Sequence, residues 1–243
     1  KNSRVDGSVV TATIKAQSSV AGMVNTNKGS ILNSMATISI SHSDDATAAN
    51  IAGLAVTNDG EIAKATLALK INVTKSADNT NVAGAVVINN GNVSGVQLAG
   101  DGITTADTTS NILNIAGFIC NNNGKLSSSK TALTTIGSYH ADKRHNVAGI
   151  AVNNSSNNSV ISQVLVASNI EGNTVAGAVV KMNNAAAKID QIAICGQNYN
   201  ESTLNQNTIK GDRFIAGVVV DLRNGSVSNV QASSQINGTK NST

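Results

Sequence analysis

The chain has 243 residues, of which 40% are apolar and only 2% aromatic, with no Pro and no Trp. Its 17 Lys and Arg against 14 Asp and Glu leave a net charge of +3, too small and too dispersed for the basic stripe of a nucleic-acid-binding protein. No apolar run approaches the roughly 20 residues that span a bilayer as a helix, and a core this poor in rings has to be built from Val, Ile, Leu and Ala, which suits thin stacked coils better than a layered globule.

The first segment, Val5-Asp6-Gly7-Ser8-Val9 followed by Ala12 and Ile14, reads as a turn and a short strand. It is the latter half of a unit that then recurs whole. From Val20 onward the tripeptide Val/Ile-Ala-Gly ends at Gly22, Gly53, Gly84, Gly117, Gly149, Gly177 and Gly217, at intervals of 31, 31, 33, 32, 28 and 40 residues. A period of this length marks a stacked-repeat architecture. Five residues after the Gly stands Asn27, Asn58, Asn89, Asn122 or Asn154, and in four copies a second Gly follows two residues later (Gly29, Gly60, Gly91, Gly124). Asn-x-Gly is turn chemistry, because Gly adopts positive φ freely and Asn hydrogen-bonds its own backbone. In-register Asn side chains are further expected to hydrogen-bond from coil to coil as a ladder.

Beyond the turn, apolar or small residues fall at relative positions 0, 3 and 5: Ile31, Ser34, Ala36; Ile62, Ala65, Leu67; Val93, Val96, Leu98; Ile161, Val164, Val166; Ile189, Ile192, Ile194; Val227, Val230, Ala232. A step of three and then of two predicts a bend leading into an alternating strand with these residues turned inward. Helices are disfavoured, since the segments are short, β-branched and bounded by Asn and Gly. The expected fold is all-β: a β-solenoid of about seven stacked coils with a period near 31 residues, a rod on the order of 35 Å long at about 4.8 Å per coil. Residues 1–243 read as one repeat domain, a section of a longer chain or assembly, with the first coil completed by material outside residues 1–19.

Within the opening strand, alternation puts Val20, Gly22 and Val24 on one face and Ala21 and Met23 on the other, both apolar. This predicts burial on two sides, by a second sheet of the chain or, with slightly more weight, by a neighbouring subunit. Each tripeptide Gly is expected inside a strand, where a neighbouring coil leaves no room for a Cβ.

The polar stretches Ser41–Asn50, Asn72–Asn81, Gly100–Asn114, Ser138–Asn146, Ser168–Thr174 and Gly196–Phe214 recur in phase and are expected as connectors along one edge of the rod. The longest holds Tyr199, Arg213 and Phe214, which mark the edge where a specific ligand would bind. His42, His140 and His145 read as exposed loop residues, because neither metallopeptidase spacing nor a ligand set accompanies them. Aspartates do not recur in phase as a calcium-binding repeat requires. Cys120 replaces a Val of the repeat, and Cys195 follows an inward Ile and should point away from the core. The two are too far apart for a disulfide, so free thiols are expected.

The Gly-aliphatic strand, the Asn-and-Gly turn and the short strand after it resemble the GLUG-motif repeats of large bacterial surface and secreted proteins. Here Ala-Gly stands where that motif commonly has Gly-Gly. The resemblance implies a β-solenoid stalk or adhesive region at the cell surface or outside the cell. It carries over no catalytic, metal or cofactor residue. The expected function is thus a non-enzymatic structural one, an adhesin stalk or filament subunit, with self-association or neighbouring chain segments as partners and a glycan or host surface as ligand. The alternative expectation is a substrate-positioning or carbohydrate-binding repeat region of a secreted hydrolase.

Overall fold

The computed structural model describes residues 3–44, 46–106, 110, 112–141, 143–196 and 205–239, and among these every regular element is a β-strand. Tyr199, in the connector edge, lies outside the described residues.

The third coil shows the plan. An opening strand, Thr80–Ala83, bends at Gly84 into a second strand, Val86–Asn89. The Asn90-Gly91 turn leads to a third strand, Asn92–Ser94, and a corner at Gly95 leads to a fourth, Gln97–Thr105. Each strand pairs in parallel with its counterparts in the coils before and after, and the opening strands do so without a slip of register: Val20, Ile51, Val82, Ile115, Val147, Val175 and Ile215 form one column. The opening strands make a seven-stranded sheet of their own, and the other strands wrap around as one larger sheet. The architecture is a β-solenoid of about seven turns with a period near 31 residues.

The step of three has a conformational cause. Asn33, Lys64, Gly95, Ser128, Gln163, Gln191 and Asn229 occupy one column and all have φ between 48° and 62°. A left-handed residue turns the chain through the corner, so the residue two before it and the residue just after it both point inward. Ile62 and Ala65 are fully buried, and so are Val93 and Val96. The fourth copy, which pattern reading passes over, has the same geometry with Leu126, Ser129 and Thr131 inside. Its two hydroxyls are satisfied locally. Ser129 Oγ donates to Ser127 O at 2.7 Å and accepts from Val96 N at 3.1 Å, and Thr131 Oγ1 lies 3.3 Å from Ser168 Oγ. Such pairing removes most of the desolvation cost of a buried hydroxyl.

Three expectations need correction. The tripeptide Gly stands in the bend after the opening strand, outside the strand itself. The close approach is nonetheless present: a Cβ on Gly84 would overlap the Gly117 carbonyl oxygen and stand 2.9 Å from Leu98 Cδ1. The fourth strands run on to Asp44, Ser76 and Thr105, into stretches read as connectors, because alternate polar residues such as Ser41, Ser43, Thr74 and Thr104 face out while Val73 and Ile103 fill the core. Nor are the histidines all exposed. His42 lies within a fourth strand, fully buried, with Nδ1 3.1 Å from Lys75 O, and His145 is also buried while His140 is half-buried.

The opening strand is buried on both faces, and the same chain supplies both covers. Ile51, Leu54 and Ala55 join the main core, whereas Ala52, Ala83, Ala116, Ala148 and Ala176 pack with Val87, Cys120, Val152 and Val180 in a separate cluster. Alternation fails at the Gly bend, which turns the outward faces of the opening and second strands toward each other. The solenoid therefore has one concave corner with an apolar floor, and no subunit is needed to cover that face.

At the N-terminal end Arg4–Asp6 and Val9–Ala16 stack on Ser30–Leu32 and Met35–Asp44 as third and fourth strands. Arg4–Asp6 forms no cap, and Val5, Val10, Ala12 and Ile14 are only partly buried against the core. The last coil likewise leaves Ile215, Val218, Val219, Val227 and Val230 partly buried.

Candidate functional site

Four features recur from coil to coil and are candidate places for function: the Gly column, the Asn corner, the connector edge and the concave corner. The Gly column is structural. Cβ atoms on Gly22, Gly53, Gly84, Gly117, Gly149 and Gly177 would each overlap the carbonyl oxygen of the next Gly in the column. Gly217, in the last coil, is the exception. Its Cβ would meet nothing nearer than Ile236 Cδ1 at 4.0 Å.

The Asn corner is also structural. Asn27 Nδ2 donates to Asn58 Oδ1 at 2.7 Å, Asn58 to Asn89 at 2.8 Å, Asn89 to Asn122 at 2.9 Å and Asn122 to Asn154 at 2.8 Å. All five side chains are buried. The amides also donate to the backbone of the next third strand, Asn27 to Glu61 O at 3.0 Å and Asn89 to Lys125 O at 3.2 Å. Their hydrogen-bonding capacity is spent inside the wall, so they present little to a ligand. Glycines 29, 60, 91 and 124 complete the corner, since a Cβ on any of them would overlap a backbone carbonyl of the preceding coil.

On the connector edge the sequence-predicted residues separate. The Arg213 backbone N–H donates to Asn173 O at 3.1 Å while its side chain points to solvent. Phe214 opens the last strand of the smaller sheet and is 64% exposed. It belongs to the concave corner, where it is brought together with residues pattern reading missed.

That corner is a groove running along the rod axis. One wall is the residue immediately before the tripeptide in coils two to seven: Asn50, Asn81, Asn114, Asn146, Thr174 and Phe214. Asn81 Nδ2 donates to Asn50 Oδ1 at 2.9 Å, Asn114 to Asn81 at 3.0 Å and Asn146 to Asn114 at 3.0 Å. Unlike the buried ladder, this one is half-exposed. The opposite wall is the column Thr57, Ile88, Asn121, Asn153, Lys181 and Asp221. Asn153 Nδ2 donates to Asn121 Oδ1 at 2.8 Å, and Arg223 Nε lies 3.1 Å from both carboxylate oxygens of Asp221. The sequence did carry a signal for the first wall: in four copies Asn immediately precedes the tripeptide, so the unit is Asn-Val/Ile-Ala-Gly.

In the groove floor Cys120 takes the Val position of the column, as its spacing predicts. Burial pushes its thiol well above the usual range, against the opposing hydrogen bonds to backbone carbonyls, of which Val82 O accepts from Sγ at 3.2 Å. Cys195 is free too, but it is covered where alternation had pointed it outward, and burial raises its thiol while Lys130 opposes the shift. Neither thiol is set up as a nucleophile, which would need a lowered pKa and access. Comparison of the chain with protein-family models, with curated proteins and with solved structures finds no match.

Proposed function

We propose that this chain is a non-enzymatic structural rod at the cell surface or outside the cell, a stalk or filament segment that extends by stacking further β-coils on its ends. The resemblance to GLUG-motif repeats supports the setting. The observation that carries the stacking is Gly217. Six glycines of its column are required by the carbonyl of the following coil, yet the seventh is kept where nothing among the described residues excludes a side chain. A further coil seated there would restore that requirement. It would also cover the half-buried Ile215, Val218, Val219, Val227 and Val230 and pair the open strand edge that otherwise invites association. Copies of the chain or segments of a longer chain are both partners of this kind.

The test is end-to-end association. Light scattering and negative-stain imaging over a concentration series should show short rods lengthening as concentration rises. Gly217→Val should return them to single rods without lowering the melting temperature. Rods that stay single at every concentration, and behave identically in the Gly217→Val variant, would sink the stacking proposal.

A further inference from the structure

We infer that the concave groove is a binding site for a linear, neutral, β-linked glycan lying along the rod axis, with Phe214 as its aromatic platform. Phe214, Asp221 and Arg223 belong to the last coil, so the groove runs up to the end on which a further coil would seat, but the inference does not rest on end-to-end stacking.

Geometry comes first. Over the last four coils the groove opens to about 640 Å³ between Asn114, Asn146 and Phe214 on one side and Asn153, Lys181 and Arg223 on the other. Ligand sites span about 300–1,000 Å³ and combine an apolar lining with a few convergent polar groups. Val152, Val180 and Val220 provide the apolar floor. Phe214 stands at the wall position that Asn holds in coils two to five, and it is one of the large hydrophobic side chains the structure leaves exposed.

Chemistry then narrows the occupant. An amide carries two N–H donors and two acceptor lone pairs. In Asn114 one donor goes to Asn81 and one lone pair accepts from Asn146, which leaves one of each on Asn114 for the groove. A ligand that meets such a wall must offer groups that both donate and accept, repeatedly, while laying apolar surface on the valines and the Phe214 ring. Hydroxyls on a sugar ring with apolar C–H faces meet both demands, and rings set on an aromatic face gain contact area of the kind aromatic side chains supply.

Spacing separates a glycan from a peptide. Wall amides repeat once per coil, about 4.8 Å, whereas an extended peptide advances about 3.4 Å per residue and drifts out of step within two coils. A pyranose unit advances along an extended β-linked chain by close to the coil spacing. The stretch carries little charge as well: the Arg223 guanidinium is held by the Asp221 carboxylate, and Lys181 is left as a single unpaired cation among the lining residues.

The experiment titrates cellohexaose and chitohexaose, both neutral linear β-linked hexasaccharides, into the whole chain by calorimetry and by amide chemical-shift mapping. At least one should bind, with shifts at Asn146, Asn153, Thr174 and Phe214. Phe214→Ala should weaken it by about tenfold, the equivalent of one lost stacking contact. Phe214 is mostly exposed, so the variant keeps its fold, which an unchanged melting curve checks. Asn90→Ala, on the opposite corner, should leave affinity unaltered. The inference is overturned if neither hexasaccharide binds, if binding survives both Phe214→Ala and Arg223→Ala, or if the shifts map elsewhere on the rod.

Discussion

Replacing Gly84 by Ala adds a single methyl group, and the structure says where it goes. The Cβ overlaps the Gly117 carbonyl oxygen and comes within 2.9 Å of Leu98 Cδ1. Gly84 φ lies outside the left-handed region, so Ala carries no backbone penalty and the steric effect stands alone. Relief requires the third and fourth coils to move apart at this bend, where three bonds cross: Gly84 N to Ala116 O at 3.0 Å, Ala85 N to Phe118 O at 3.0 Å and Val86 N to Phe118 O at 2.9 Å. Overpacking costs about 1–3 kcal/mol, and weakening one such hydrogen bond adds about 1 kcal/mol, so Gly84→Ala should destabilise the rod by ~2–4 kcal/mol. Gly217→Ala meets no overlap, and by restricting the unfolded chain it should be neutral or stabilise by about 0.4–1 kcal/mol. Urea denaturation of both variants, with amide exchange to localise the loss because a solenoid unfolds in parts, makes the comparison. Equal effects at the two positions would refute the reasoning, since the residues differ only in whether a coil follows.

Three more outcomes can be checked. Asn89→Ala strips the donor to Asn122 and the acceptor of Asn58 from a buried ladder and should cost ~2–4 kcal/mol through unsatisfied amides, whereas Asn90→Ala in the exposed chain Asp59–Asn90–Asn123 should cost under about 0.5 kcal/mol by the same denaturation. Lys64 holds φ at 55° where the next coil has Gly95; Lys64→Gly should stabilise by ~0.5–1 kcal/mol and Lys64→Val destabilise by more than about 1 kcal/mol, read as shifts in urea midpoint. Because burial raises the Cys120 thiol above its unfolded value of 9.0, the folded state holds more protons than the unfolded one above that pH. Stability should therefore be full below pH 9.0 and fall as pH rises beyond it, by about 1.4 kcal/mol per pH unit for one thiol. In Cys120→Val the fall should be shallower by that amount, and an unchanged pH profile would count against the buried thiol as its source.

The repeat, the parallel stacking and the buried Asn ladder were legible because each rests on one residue type recurring at one phase. Asn27, Asn58, Asn89, Asn122 and Asn154 each stand five residues after the tripeptide Gly, and register follows from that spacing. What escaped was geometry that alternation cannot express. Period two assumes a straight strand, so a bend at Gly53 that sends Leu54 and Ala55 to the same side is invisible to it. The left-handed column escaped for a related reason: Asn33, Lys64, Ser128, Gln163, Gln191 and Asn229 share a φ but no chemistry. The fourth copy breaks the apolar pattern because Ser129 and Thr131 are polar yet inward, and only their hydrogen bonds explain the placement. In the groove, Asn50, Asn81, Asn114 and Asn146 stand one residue before the Val/Ile-Ala-Gly tripeptide, outside the segment that the Gly spacing defines.

The structure divides the residues of each coil by what constrains them. At the Gly bend and the Asn corner a neighbour's backbone sits where any larger or less polar side chain would go, so identity there is set by the coils above and below. The groove walls are free of that demand. Thr57, Ile88, Asn121, Asn153, Lys181 and Asp221 occupy a single column on the same backbone, and Asn146, Thr174 and Phe214 follow one another on the facing column. Variation of this kind within a fixed scaffold is where a repeat protein can acquire selectivity without disturbing its register. It also gives the groove a direction: an amide-lined stretch in coils two to five gives way to a charged and aromatic stretch in coils six and seven. A ligand that reads both must be long enough to span several coils, which is why a hexasaccharide, and not a monosaccharide, is the probe that distinguishes a groove from a surface dent.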